Sequence, residues 1–341
     1  LSNATPVVAG VIQIQWGSTG NLVVSNTISG WQGYYGIHLY YANQNRILSN
    51  SLVGNGNGGG IRVGGGAQNL IDGNEIRSNF GVGVTVDMGG SWGNLVVRNQ
   101  IWGSNQARGI QLNSTTYLNV IASNTVAMNN WAGIEVNNAL QNEIFSNRVR
   151  DNRGVGIKLS TSPTQYVRLN SVRENWLTGA DQTNGILLEK GALSNQVASN
   201  LIQGVGANAI ALVDATNNWL SFNRVFGAAG AGIRLWGASD SNWITNNSVA
   251  SNGLVGIAFD QVTNNTAMQN TVWGQGFGIS NAGGNSQTLC LNILSNNDTN
   301  LYCSTPSEIA VSNYFEKRSV AGFGVSLPAS IDPWMNGLTG I

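Results

Sequence analysis

Charge is what this sequence has least of. Only 9% of its 341 residues are charged, where ~25% is usual, and 16 basic residues balance 16 acidic ones. Without a basic stripe, nucleic acid drops out as a partner. One histidine and two cysteines are too few for a Cys/His zinc site, and no phosphate-loop or dinucleotide fingerprint occurs. No cofactor and no metal ion is therefore expected. No apolar run approaches the ~18 residues of a membrane-crossing helix, so no membrane span is expected either.

What the sequence has in abundance is asparagine on a fixed period. The stretch NLVVSNTISG (21–30) places two asparagines five residues apart around an apolar pair. The second recurs as Asn26, Asn50, Asn74, Asn99, Asn124, Asn147, Asn170, Asn200, Asn223, Asn247, Asn270 and Asn292, mostly at 22–25-residue steps. Five residues earlier stand Asn21, Asn45, Asn69, Asn94, Asn119, Asn142, Asn195, Asn218, Asn242 and Asn265, with Gln165 and Gln287 as exceptions. Three residues before and two after each second asparagine the columns are aliphatic, as in Val23/Ile28, Ile47/Leu52 and Ile71/Ile76. The column between them is mixed, which is the alternation of a strand. A further unit, Gly-Ile-x-Leu, recurs as GIHL (36–39), GIRV (60–63), GVTV (83–86) and onward to GIAF (256–259). Each repeat thus offers about three short strands and cannot bury its apolar face alone; stacked repeats share one core. Twelve coils at about 4.8 Å spacing would make a rod of roughly 55–60 Å. The asparagines are read as corner residues that tolerate left-handed backbone and bond their neighbours above and below.

The pattern N-x-[IV]-x-x-N-x-[IV] followed by G-I-x-L resembles the right-handed parallel β-helix repeat of the pectate-lyase-like superfamily, over about residues 10–295. That resemblance implies an all-β, single-stranded solenoid of about 12 coils with three short strands each. The same architecture serves pectate lyases, alginate epimerases and phage tailspikes, so it says little about activity.

Several irregularities stand out against the repeat. The step from Asn170 to Asn200 is about six residues too long, and ENWLTGADQT (174–183), with Trp176 and Asp181, reads as a protruding loop, either a binding element or a tolerated insertion. The Gly-Ile-x-Leu column fails at GISN (278–281), where Asn281 replaces the aliphatic residue. Two parts are therefore expected: a β-helix over 1–296, and a segment over 297–341 that caps the last coil or reaches another molecule. At the other end Ile12 and Ile14 already match the Gly-Ile-x-Leu column, leaving an end that is open or thinly covered, with a crossed-over N-terminal strand as the minimal cap. Head-to-tail contact would then use Val11, Ile12, Ile14 and Trp16 on one side and Tyr314, Phe315, Phe323 and Trp334 on the other. Cys290 and Cys303 are read as a disulfide, which suits an extracellular or cell-surface setting, or else as two separate thiols.

Chemistry is harder to find. The outward column of the Gly-Ile-x-Leu strand reads His38, Arg62, Thr85, Gln111, Glu135, Lys158, Leu187, Ala211, Arg234, Ala258. No catalytic set is committed. The weak candidates are Arg62, Asp87, Glu135 and Lys158, with Asp87 and Glu135, two coils and about 10 Å apart, as acid and base. The column equally reads as a mixed polar ladder with pairs such as Glu135 and Lys158. The only Asp-Pro, Asp332-Pro333, lies outside the repeat, so the Asp-Pro-His segment that the epimerase resemblance implies is missing. His38 has no acidic neighbour in sequence and reads as a surface rung. Trp102, Trp219, Phe226, Trp243 and Trp273 fall in outward columns, as interface, as sugar-stacking platform, or as shields for the strands. From these readings the expected function is a structural or adhesive solenoid that self-assembles head to tail into a filament or surface layer. The alternative is a polysaccharide-processing enzyme or glycan-binding module with a groove along the third strand.

Overall fold

A computed structural model describes residues 10–56, 58–103, 107–162, 165–304, 309–315 and 320–322. The chain is an all-β parallel solenoid of about twelve turns with three parallel sheets. Its contacts divide it into two compact units, Leu1–Gly154 and Val155–Ile341. Among the described residues no helix is long and apolar enough to cross a membrane.

In the first unit the Gly-Ile-x-Leu strands form the first sheet, in order Gly10–Gln15, Tyr35–Tyr40, Gly59–Gly64, Val82–Asp87, Ile110–Leu112 and Ile134–Asn137. Ile12 pairs with Ile37 and Ile14 with Leu39, as the column alignment required. The segment before each second asparagine forms the second sheet (Leu22–Val24, Arg46–Leu48 and onward), and the segment after it the third (Thr27–Ser29, Ser51–Val53 and onward). Inward residues of all three, such as Ile61, Val63, Ile71 and Ile76, are wholly buried. The glycine opening each first-sheet strand has a steric cause. A Cβ on Gly60 would lie 2.5 Å from the Gly83 carbonyl oxygen and 2.6 Å from Ile76 Cγ2.

The asparagine ladders account for the corners. Asn50 donates its backbone N–H to Asn74 Oδ1 at 2.9 Å and its side-chain amide to the same oxygen and to the Val23 carbonyl, each at 3.0 Å. Asn50 thereby ties three coils together, and Asn74, Asn99 and Asn124 bond in the same way. The left-handed backbone expected of the asparagines falls instead on the residue before each: Ser25, Ser49, Arg98, Ser123 and Ser146 all have φ between 52° and 57°. A third ladder, not recognised in the sequence, turns the third sheet back to the first through pairs such as Asn55–Asn79 and Asn129–Asn152.

The second unit repeats the plan but corrects the register. Asn170 bonds Asn195, and Asn175 bonds Asn200, so Asn170 belongs to the first asparagine column and Asn175 to the second. Residues 174–183 are accordingly not a protruding loop. Trp176–Thr178 is a third-sheet strand paired with Leu201–Gln203, and Leu177 is fully buried. The extra residues lie earlier, between the strand Ile157–Ser160 and Asn170, where Val167–Arg168 pairs with Ala192–Leu193. The sequence alignment misplaced them because both asparagines of this repeat fit either column at a five-residue offset.

The ladders also continue past Asn296. Thr299–Cys303 pairs with Phe277–Ala282, Ile309–Val311 with Thr288–Cys290, and Tyr314–Phe315 with Ile293–Ser295. Asn281 sits buried inside that first-sheet strand and donates to the Gly284 carbonyl at 3.3 Å. The expected disulfide is not formed. Cys290 ends a second-sheet strand beside inward-facing Leu289 and so points outward, whereas Cys303 ends a first-sheet strand and is buried. A wall of the solenoid stands between the two sulfurs.

Candidate functional site

In the first unit the outer face of the first sheet carries the densest polar and aromatic chemistry. Tyr35, His38 and Tyr40 project from one strand, Arg62 from the next and Asp87 from the one after. Arg62 Nε donates to Asp87 Oδ1 at 2.8 Å, and the guanidinium lies 5.4 Å from the centroid of the Tyr35 ring. His38 sits between two phenol rings, 5.4 Å from Tyr35 and 5.5 Å from Tyr40. Its outward column predicted an exposed rung, yet only 4% of His38 is accessible. Neighbouring rings and Arg62 cover it, and neither ring nitrogen has a hydrogen-bond partner.

Burial, reinforced by the Arg62 charge, lowers the His38 pKa to about 4, so the imidazole is neutral at neutral pH. Burial likewise raises the Tyr35 phenol above its usual value, against the lowering field of Arg62. The cluster thus joins a neutral imidazole, a protonated phenol and a guanidinium on one strand pair. Gly64, in register with Tyr40 and Asp87, carries no side chain, and the space above it is taken up by Met88, whose Sδ lies 3.0 Å from where a Cβ would stand. A Cβ there would come within 3.4 Å of Arg62 Nε.

The edge of this face is aromatic. Trp16 stacks on Tyr41 at 5.2 Å and meets Tyr40 edge-on at 5.0 Å. Trp16 is 69% exposed, Tyr41 is exposed beside it, and Tyr34 is exposed at the other end of the strand Tyr35–Tyr40. Trp16 and Tyr41 both take left-handed backbone, φ 47° and 48°, where the chain turns out of the sheet. Such rings in an exposed row suit the apolar face of a sugar.

Of the four weak candidates, Arg62 and Asp87 are brought together. Glu135 is buried, pairs with Arg108 and accepts from Gln111 Nε2 at 3.0 Å, and Arg108 lies 4.8 Å from the Trp131 centroid. Lys158 belongs to the second unit and pairs with Glu189 at 3.0 Å. Tyr35, Tyr40 and Arg108 were missed in the sequence. Tyr35 lies before the Gly-Ile-x-Leu unit and Tyr40 after it, and only the folded ring contacts show that they flank His38.

Of the expected interface residues, Val11, Trp16 and Tyr314 are exposed, Ile12 is half-buried, and Ile14 and Phe315 are buried. Phe323 and Trp334 lie outside the described residues. Among the outward aromatics Trp219 and Phe226 are exposed, while Trp102, Trp243 and Trp273 are half-buried.

Residues 10–177 match the family model described as right handed beta helix region, and residues 165–323 match that described as periplasmic copper-binding protein (NosD). No curated protein matches. Among solved structures, the Azotobacter vinelandii mannuronan C-5 epimerase AlgE6 A-module is 14% identical, with 89% of this chain and 91% of that one covered and a TM-score of 0.61. A mutant of the periplasmic alginate epimerase AlgG is 14% identical, with 86% and 77% covered and a TM-score of 0.58. The catalytic unit of a Streptomyces thermodiastaticus alpha-1,3-glucanase is 15% identical, with 91% and 64% covered and a TM-score of 0.57. At these identities the likeness is one of fold alone.

Copper, which the second description carries, needs soft or imidazole donors that converge. Among the described residues no group of three or more His, Cys, Asp or Glu converges. His38 lies outside the matched segment, and Cys290 and Cys303 face opposite sides of the wall. The described His, Cys, Asp and Glu side chains do not fit such a centre.

Proposed function

We propose that this parallel β-solenoid, whose residues 10–177 match the right handed beta helix region, binds and processes an acidic polysaccharide along the outer face of the first sheet in residues 10–154. The observation that carries this reading is His38, buried between Tyr35 and Tyr40 with both ring nitrogens unpaired beside the Arg62–Asp87 pair. A native structure rarely leaves a buried polar side chain unsatisfied without use for it. A scaffold gains nothing from such a group, which places a purely structural or adhesive role second.

In the proposed reaction Arg62 swings onto the carboxylate of a uronic-acid residue and so uncovers His38, whose neutral ring takes the proton from the carbon next to that carboxylate. Tyr35, kept protonated, donates to the opposite face of that carbon. Proton return gives the epimer, and loss of the neighbouring glycosidic oxygen gives an unsaturated chain end. The exposed rings of Trp16, Tyr34 and Tyr41 would hold flanking sugars. Similar solved structures that act on mannuronan or alginate support the choice of substrate class through their fold only.

The test is incubation with a panel of polyuronates and neutral polysaccharides in heavy water. Deuterium entry next to the carboxylate, or an unsaturated product, is expected from the wild type. His38→Asn should lower it by roughly 10²-fold or more, and Arg62→Ala should weaken binding of the acidic chains. A folded wild-type protein that neither binds nor alters any member of the panel would sink the proposal.

A further inference from the structure

The second unit carries an aromatic column of its own, on the second sheet. Ser171, Gln196, Trp219, Trp243 and Thr266 follow one another in register, all facing outward. The indoles of Trp219 and Trp243 stack at 4.9 Å with 16° between their planes, close to the repeat of the coils themselves. Trp243 therefore covers one face of Trp219, yet Trp219 remains 46% exposed. On its other side the column offers no third ring, only flexible Gln196 and then small Ser171.

A recess of about 370 Å³ opens at that point, lined by Leu169, Asn170, Ser171, Ser194, Gln196 and Trp219. Its walls come from bulky groups two coils apart. Leu169, held exposed at a left-handed corner with φ 57°, stands on one side and Trp219 on the other. Between them the serines leave the room. Asn170 is committed to the ladder with Asn195 and contributes floor rather than donors.

We propose that this recess is a binding subsite for a neutral hexopyranose. The apolar face of the ring continues the indole stack on Trp219, where the next coil supplies no aromatic residue of its own. Hydroxyls around the ring edge meet the Ser171 and Ser194 hydroxyls and the Gln196 amide. No ionisable side chain lines the recess, so a uronate carboxylate or a phosphate would lose water there without gaining a partner. A nucleotide, whose base would also stack, is disfavoured on that ground. The subsite lies in a different unit from His38 and takes uncharged rather than acidic sugars, so the two proposals stand or fall separately.

The experiment follows the indole N–H resonances of ¹⁵N-labelled full-length protein during titration with neutral methyl hexosides and neutral oligosaccharides at millimolar concentration. The Trp219 signal, assigned through Trp219→Phe, is expected to shift first and Trp243 with it. Trp219→Ala should abolish the response of Trp243. Gln196→Trp, which keeps Trp219 but fills the site with a third protein ring, should weaken binding by about tenfold. Arg62→Ala should leave the Trp219 response unchanged. A Trp219 signal that stays fixed across the panel overturns the proposal. So does one that moves equally with uronates, or one that moves with protein concentration alone, which would make the patch a contact between copies of this chain.

Discussion

His38 and the ladder asparagines are both buried polar residues, and their partners separate them. Each ladder amide has its bonds made by the coils above and below, whereas His38 has none. The consequence for His38 is a pH dependence of definite sign. Its pKa is about 4 when folded against 6.5 for an unperturbed imidazole, so below pH 6.5 the unfolded chain takes up a proton that the folded chain refuses. The stability this affects is intact above pH 6.5, falls as the pH drops toward 4 and levels off below. At most about 3 kcal/mol is involved. His38→Phe removes the titration and keeps a ring between the two tyrosines, so its melting temperature should fall less between pH 6.5 and 4 than that of the wild type. Equal slopes would mean that His38 is solvated after all.

Strands and corners are where the sequence was most and least legible. The aliphatic columns fixed the strands because a parallel coil buries one face of each, and Ile47, Ile71, Ile101 and Ile144 are wholly buried as their positions required. Register failed only where two asparagines five residues apart could serve either column, at Asn170 and Asn175. Hydrogen bonds from neighbouring coils resolve that ambiguity, and a single chain read linearly does not contain them. Leu177 tests the corrected register. As an inward residue of the strand Trp176–Thr178 it should cost about 2–5 kcal/mol on change to Ala, seen as a large drop in the unfolding midpoint. A residue in a protruding loop would cost next to nothing.

At the level of the whole chain, a solenoid's stability is approximately a sum over repeats and their nearest-neighbour contacts. Ile244 is wholly buried in the strand Trp243–Thr245, which pairs with Trp219–Ser221 before it and Thr266–Met268 after it. Ile244→Ala, at about 2–5 kcal/mol, should therefore speed hydrogen exchange in those two strands first and in the more distant coils of the same unit little. Uniform acceleration through the unit would instead show that it opens as one cooperative block. The same locality lets outer faces vary without cost to the core: one coil can carry His38, the next Arg62 and a distant one Trp219, on an unchanged ladder.

The sequence by itself determined the fold, because a period of 22–25 residues with inward aliphatics and corner asparagines has one way to bury its apolar face and pair its amides. The tertiary structure decided which outward residues meet. Tyr35, His38 and Tyr40 share a strand, but Arg62 and Asp87 come from the next two coils, 24 and 25 residues apart in sequence step by step. Outward columns are free of the packing that constrains inward ones, so their composition looked like an ordinary polar surface. Only the stacking of coils showed that neighbouring rings and a guanidinium had taken His38 out of water.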